Sequence, residues 1–388
     1  MIKKLLCLCL CVAGLASCKN EVEVLEVPQS DIISNSPIAE TAIKFKNDMD
    51  GGKTRANSTD CVVKSIKKMQ KGLASTRAAD ESVDIYSVAF DQDMGSVLIA
   101  DVNESYVPLA YFANEQELDI DECLKDTLSD LGFLVGYITE IALNCDIAPH
   151  QTRASSDEEE IVERVEPKCQ VFWHQDEPYN RYCFTRSGEQ AVAGCTAIAG
   201  ALALTVLQPD NEPLINSWFW ATFYRPSDYA VDQIAKLIHY IGESIDMSYG
   251  TTSSKASHSK LRSFLLDTYK LDGDSLNDYD AERAVDVLRT EHGVIIITGY
   301  RAVHGWWRWE HVVDGHEFIG DGFVKYNNGS DPYYLHLNYG DGRAHNGVYV
   351  LSSKKKWKAQ EARDNGYDVL YTHELRYCSL TYTSEKNW

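Results

Sequence analysis

The sequence predicts an α+β fold in two parts: a helical layer followed by an antiparallel sheet over residues 168–388, and a smaller α+β unit over 82–147. Three observations carry this. From residue 195 onward, helix-periodic segments come first and strand-like runs later, the pattern of segregated layers in one domain. Upstream, short alternating runs ("SVDIYSVAFDQDMGSVLIADVNESYVPLAYF") give way to a helical stretch ("DIDECLKDTLSDLGFLVGYITEIAL") with Leu124, Leu128, Leu131 and Leu134 near one face. Between the two lies "HQTRASSDEEEIVERVE", so residues 148–167 are expected to be an acidic linker and a domain boundary.

The first eighteen residues stand outside this fold. Lys3 and Lys4 precede an apolar run, Leu5 to Gly14, too short to span a bilayer. Leu15-Ala16-Ser17-Cys18 then has the form of a bacterial lipobox. Residues 1–18 are therefore expected to be a lipoprotein signal peptide with Cys18 as the lipidation site, the alternative being an ordinary signal peptide cut after Ser17. This predicts a lipid-anchored chain at the cell envelope or cell surface. Residues 19–81 are polar with broken apolar patterning and are expected to be tether and leader.

In the C-terminal part, "CTAIAGALAL", "DYAVDQIAKLIHYIGES" and "KLRSFLLDTYKL" read as helices, whereas "GVIIITGY", "EHVVDGHEFIG", "YYLHLNYGDG", "GVYVLSS" and "RYCSLTYT" read as strands. A net charge of −21 argues against nucleic acid as a partner. Thr-Arg-Ala occurs at 54–56, 76–78 and 152–154, always in polar surroundings, which makes Arg55, Arg77 and Arg153 candidate processing sites.

After the signal region, Cys61, Cys123, Cys145, Cys169, Cys183, Cys195 and Cys378 remain. None has CxxC spacing, so no metal site and no cofactor are expected. An odd number is compatible with disulfides plus one free thiol, with the pairing open. Cys195 differs from the rest: it follows a glycine at the start of a helix, where the macrodipole's positive end favours thiolate. A nucleophilic cysteine also needs a base, a group to orient that base, and donors for an oxyanion. His311 begins the strand "HVVDG" and is the expected base. Asn338 ends the strand "YYLHLN" and can orient an imidazole, or simply lead the strand into a turn. Gln175, in the loop "FWHQDEPYN", can supply an oxyanion donor or be one of many polar loop residues, and "HGWWRWEH" is either a ligand-stacking platform or an aromatic loop packed on the core.

The order "WHQDEPYN", "AGCTAIAGALAL", "GVIIITGY", "EHVVDG", "LHLNYGDGRAHNGVYVL" resembles the streptopain family of papain-like cysteine peptidases over most of residues 168–388. The resemblance implies a papain-like catalytic domain preceded by an inhibitory propeptide domain at 82–147. It implies a zymogen with Cys195 as nucleophile, His311 as base, Gln175 in the oxyanion hole, and Asn338 orienting the histidine. Tyr339, Gly340 and Trp309 would border the substrate. Two departures stand out. The family's Gly-His-Ala becomes Glu310-His311-Val312, and its Asn-Trp-Gly-Trp-Gly becomes Asn338-Tyr339-Gly340-Asp341-Gly342. The expected activity is that of a secreted, lipid-anchored cysteine endopeptidase acting on proteins or peptides, with its own propeptide as intramolecular inhibitor and an arginine-specific peptidase as activator. The competing reading is a non-catalytic surface binding or adhesin lipoprotein on a decayed peptidase scaffold.

Overall fold

A computed structural model of the chain describes residues 36–51, 61–69, 83–125, 129–144, 160–210, 227–274, 277–278, 280–304, 310–327, 333–342, 347–352 and 374–382. It is an α+β structure built on one mixed-origin antiparallel sheet. The N-terminal unit contributes α1 (Pro37–Met49), β1 (Val63–Lys68), β2 (Asp84–Phe90), β3 (Ser96–Val102), β4 (Ser105–Phe112), α2 (Ile120–Lys125) and α3 (Asp130–Asn144). After β5 (Ile161–Val165) come α4 (Cys195–Leu207), α5 (Asp228–Ser244), α6 (His258–Tyr269), β6 (Asp272–Gly273), β7 (Asn277–Asp278) and α7 (Ala281–Leu288). Strands β8 (Gly293–His304), β9 (Glu310–Tyr326), β10 (Tyr333–Asn338), β11 (Val348–Ser352) and β12 (Glu374–Thr381) complete the chain.

The sheet runs β1-β2-β3-β4-β11-β10-β9-β8-β12-β6, so the N-terminal meander joins the C-terminal strands through β4 and β11. Side chains alternate across a strand, and the sheet separates two cores accordingly. Val294, Ile296, Ile319, Cys378 and Leu380 face α4, α5 and α6. Ile295, Ile297, Phe318, Leu335 and Leu337 face the opposite way, toward α1, α3 and α7. Helix α4 is the centre of the first core: every residue from Thr196 to Leu207 is buried, which its uniformly apolar sequence requires.

Three sequence expectations change here. The segment 19–81 is more than a tether, because α1 and β1 fall within it. Ser36 caps α1, its Oγ accepting from Ala39 N at 3.2 Å, and Ala39, Ala42, Phe45 and Met49 form an apolar stripe hidden in a polar composition. Phe45 packs on Tyr334 of β10 with ring centroids 4.6 Å apart, so α1 covers the C-terminal sheet. The N-terminal unit thus starts near Ser36, not at 82. The linker also narrows, because β5 pairs with β9, and Glu163 there takes both Arg289 Nε and Nη2 at 2.7 and 2.8 Å. Finally, Cys61, Cys123, Cys169, Cys183, Cys195 and Cys378 are all free thiols; Cys145 lies outside the described residues.

Among the described residues no helix is long and apolar enough to cross a membrane. The expected signal peptide with Cys18, and the Arg55, Arg77 and Arg153 bonds, lie outside the described residues.

Candidate active site

Helix α4 starts at Cys195, and Gly194 before it has φ 90° and ψ 130°, a conformation L-residues rarely adopt. The Gly194 carbonyl accepts from Ala197 N and Ile198 N at 3.1 Å each, opening the helix. The strand leading in is clamped on both sides. Ala193 N donates to Gln175 O at 2.9 Å, and Val192 N donates to Gly250 O at 3.1 Å. Ser254 Oγ donates to Val192 O at 2.6 Å. The Gln175 backbone is thus held at Ala193, two residues before Cys195. Cys195 itself is half-buried, whereas burial pushes the Cys169 thiol up to about 12 and the Cys183 thiol up to about 11. Those two are inert packing cysteines.

On the sheet side, β9 and β10 pair with Asn338 opposite Ile319. His316 lies three residues earlier on β9, is buried, and its Nε2 donates to the Tyr339 carbonyl at 2.8 Å. The His316 and Tyr339 rings stack with centroids 4.2 Å apart, and Phe318 stacks on Tyr339 at 4.8 Å. Beyond Tyr339 the chain reaches α4. A Cβ on Gly340 would stand 2.8 Å from Ile198 Cγ2, one helical turn past Cys195. Gly342 N donates to Trp173 O at 3.4 Å, and the same glycine rests on the His174 ring. The Tyr339-Gly340 step thus has His316 on one side and the first turn of the Cys195 helix on the other.

The expected histidine, His311, is elsewhere. It pairs with Val303 near the far end of the β8–β9 ladder, eight residues before Ile319. At about 3.3 Å per residue an extended strand of that length spans roughly 26 Å, so the register keeps His311 away from Asn338. Its side chain, like Trp309 as a whole, lies outside the described residues. Five residues downstream of His311 the sequence has a Gly-His step, Gly315-His316, which residues 310–312 lack.

Asn338 also differs from expectation. Its Nδ2 donates to Val171 O at 3.0 Å and lies 3.3 Å from Cys169 Sγ, while its Oδ1 accepts from Gly340 N at 3.2 Å. It shapes the turn after β10 and ties it to the 169–175 segment; the group held by His316 is the Tyr339 carbonyl. Tyr339 and Gly340 are both buried. The aromatic step after Asn338 serves as the stacking partner of the histidine.

Two buried histidine–carboxyl hydrogen bonds flank the site. Asp321 Oδ1 accepts from His336 Nδ1 at 2.5 Å and its Oδ2 accepts from Cys169 N at 2.7 Å, joining β9, β10 and the start of the 169–175 segment. Glu317, next to His316, is bonded to Nδ1 of His258 at the start of α6. Among the described residues no group of three or more His, Cys, Asp or Glu side chains could hold a metal ion.

Residues 216–349 match the Peptidase C10 family. That span contains His316 and Asn338 and begins after Gln175 and Cys195. Comparison with curated protein sequences returns no match. Among solved structures, a fragment of prointerpain A from Prevotella intermedia aligns at 16% identity, TM-score 0.46, over 81% of this chain and 97% of that one. The active wild-type interpain A cysteine protease of the same organism aligns at 19% identity, TM-score 0.37, over 56% of this chain and 95% of that one.

Proposed function

We propose that this chain is a cysteine endopeptidase made as a zymogen, with Cys195 as nucleophile and His316 as its base, a reading supported by the match of residues 216–349 to the Peptidase C10 family. The observation that carries the assignment is the Nε2 hydrogen bond of His316 to Tyr339 O, made on the turn that packs against the first turn of α4. A carbonyl oxygen can only accept, so Nε2 carries the proton and Nδ1 is the basic nitrogen.

Nδ1 takes the Cys195 thiol proton as Sγ attacks the scissile carbonyl carbon and the carbonyl electron pair moves onto oxygen. The Cys195 N–H and the Gln175 side chain receive that oxyanion, each such donor being worth ~2.7–4 kcal/mol in the transition state. As the C–N bond breaks, the imidazolium returns its proton to the leaving amine. Water, deprotonated by the same nitrogen, then attacks the thioester and Cys195 leaves as the thiol. The Tyr339 carbonyl and ring hold the imidazole throughout.

The N-terminal unit is the inhibitor in this proposal. Support comes from its packing: Tyr137 of α3 shares a cavity lining with Phe318 and Leu337, so the unit leans on the rings beneath His316. An arginine-specific peptidase cutting at Arg153 would separate the two units and free the enzyme from the Cys18 lipid anchor at the cell envelope. The test is casein hydrolysis by activated Cys195→Ala, His316→Ala and His311→Ala. The first two are expected to lose it and the third to keep it. Full hydrolysis by Cys195→Ala overturns the peptidase assignment; full hydrolysis by His316→Ala overturns the base.

A further inference from the structure

His316 and Glu317 are consecutive on β9 and face opposite sides of the sheet. His316 stacks with Phe318 and Tyr339 on one side. Glu317 enters the other side, beside the core around α4 to α6, where it is only 4% exposed. There its Oε1 accepts from Nδ1 of His258, itself 4% exposed and the first residue of α6. Thr298 of β8 pairs across from Glu317.

His258 also ends the segment that grips the nucleophile. That segment closes on itself through Ser248 and Lys255, whose backbones exchange hydrogen bonds of 2.9 and 3.0 Å. Its Gly250 carbonyl and Ser254 hydroxyl hold both backbone groups of Val192. Ser254 Cβ lies 3.1 Å from where a Cβ of Gly194 would stand. One short piece of chain thus contacts Gly194 at one end and Glu317, next to His316, at the other.

We infer that Glu317 and His258 are a positioning pair, a buried bond that fixes the strand carrying His316 against the segment holding Gly194 and Cys195. This rests on His316 being the base. The pair touches neither substrate nor the reacting atoms; it acts by holding the two halves of the dyad at one separation. Removing either partner loosens the approach of imidazole to thiol, which affects the chemical steps and leaves peptide binding alone. Removing His258 alone also leaves the Glu317 carboxylate without its cation close to His316, and a nearby anion favours imidazolium.

The experiment uses activated full-length Glu317→Gln and His258→Gln with quenched casein, alongside His316→Ala. Rates are expressed per Cys195 thiol alkylated by iodoacetamide and counted by intact mass, so misfolded protein drops out. Both variants are expected to lose about tenfold in kcat with KM unchanged. His258→Gln should move the acidic limb of the kcat profile to higher pH, and Glu317→Gln should not. Wild-type kcat and pH profile per alkylated site in both variants, with His316→Ala inactive, would overturn the positioning role and leave the base assignment standing. Absence of any alkylatable site in both variants would make the pair structural only and equally overturn it. An active His316→Ala removes the base assignment itself.

Discussion

Replacing Gly194 by alanine places a methyl group where the chain has least room beside the nucleophile. Two costs add. At φ 90° and ψ 130° an L-residue sits outside its allowed regions, a penalty of about 1–3 kcal/mol. The new Cβ would also lie 2.8 Å from Met247 Cε, 3.0 Å from Met247 Sδ and 3.1 Å from Ser254 Cβ. Met247 can swing its tip away, but Ser254 is tied to Val192 O at 2.6 Å and to Gly250 N at 3.1 Å, so the backbone at 194 must move. We expect a stability loss of roughly 2–4 kcal/mol, read as the urea midpoint in a Cys195→Ala background where self-digestion cannot interfere. A shift of about 1 Å in Cys195 relative to Gln175 and His316 should cut kcat on the order of 10²-fold. Gly188→Ala is the control: its φ is also positive, at 84°, yet nothing stands within 4 Å of the added methyl. It should lose about 1 kcal/mol and no turnover. Wild-type stability and kcat in Gly194→Ala would refute the claim that this glycine's conformation sets the nucleophile.

Asn338→Ala should destabilise by about 1–3 kcal/mol, because Val171 O and Gly340 N are left without their buried partner. It should lower kcat less than His316→Ala does, and a change confined to KM would contradict the turn-shaping role. His258 offers a pH test. Burial lowers its affinity for a proton, but the Cys378 thiol and the Glu317 carboxylate outweigh that and raise its pKa to about 10, from an ordinary 6.5. A raised pKa contributes stability that is complete below pH 6.5 and is lost as pH climbs through 10. The thermal midpoint of the Cys195→Ala zymogen should therefore fall across that window, and His258→Gln should flatten the slope; equal slopes would count against the ion pair. For processing, an arginine-specific protease acting on the Cys195→Ala zymogen should give a new N-terminus at Ala154, with β5 retained on the catalytic part through Glu163 and Arg289. An intact Arg153-Ala154 bond in activated wild-type enzyme would refute that route.

Local pattern was enough for several features because the physics behind them is local. The apolar run after Cys195 could only be a buried helix, and Gly-Cys at its start marked Cys195 as the candidate nucleophile without any tertiary information. The short apolar runs from 84 to 112, broken by Asp, Asn and Gly turns, gave three strands of the meander, since strand and turn signals are local to each segment. What local pattern left open depended on register and on contacts distant in sequence. His311 and His316 both lie on β9, and strand propensity cannot say which one pairs near Asn338; the β9–β10 ladder decides that. Helix α1 was missed because its four buried apolar positions are scattered in a charged segment, and they acquire meaning only against Tyr334, nearly three hundred residues away. The partner of the histidine was invisible for a further reason. It is a backbone carbonyl, which every residue has, and only the turn that Asn338 shapes aims the one at Tyr339 toward His316.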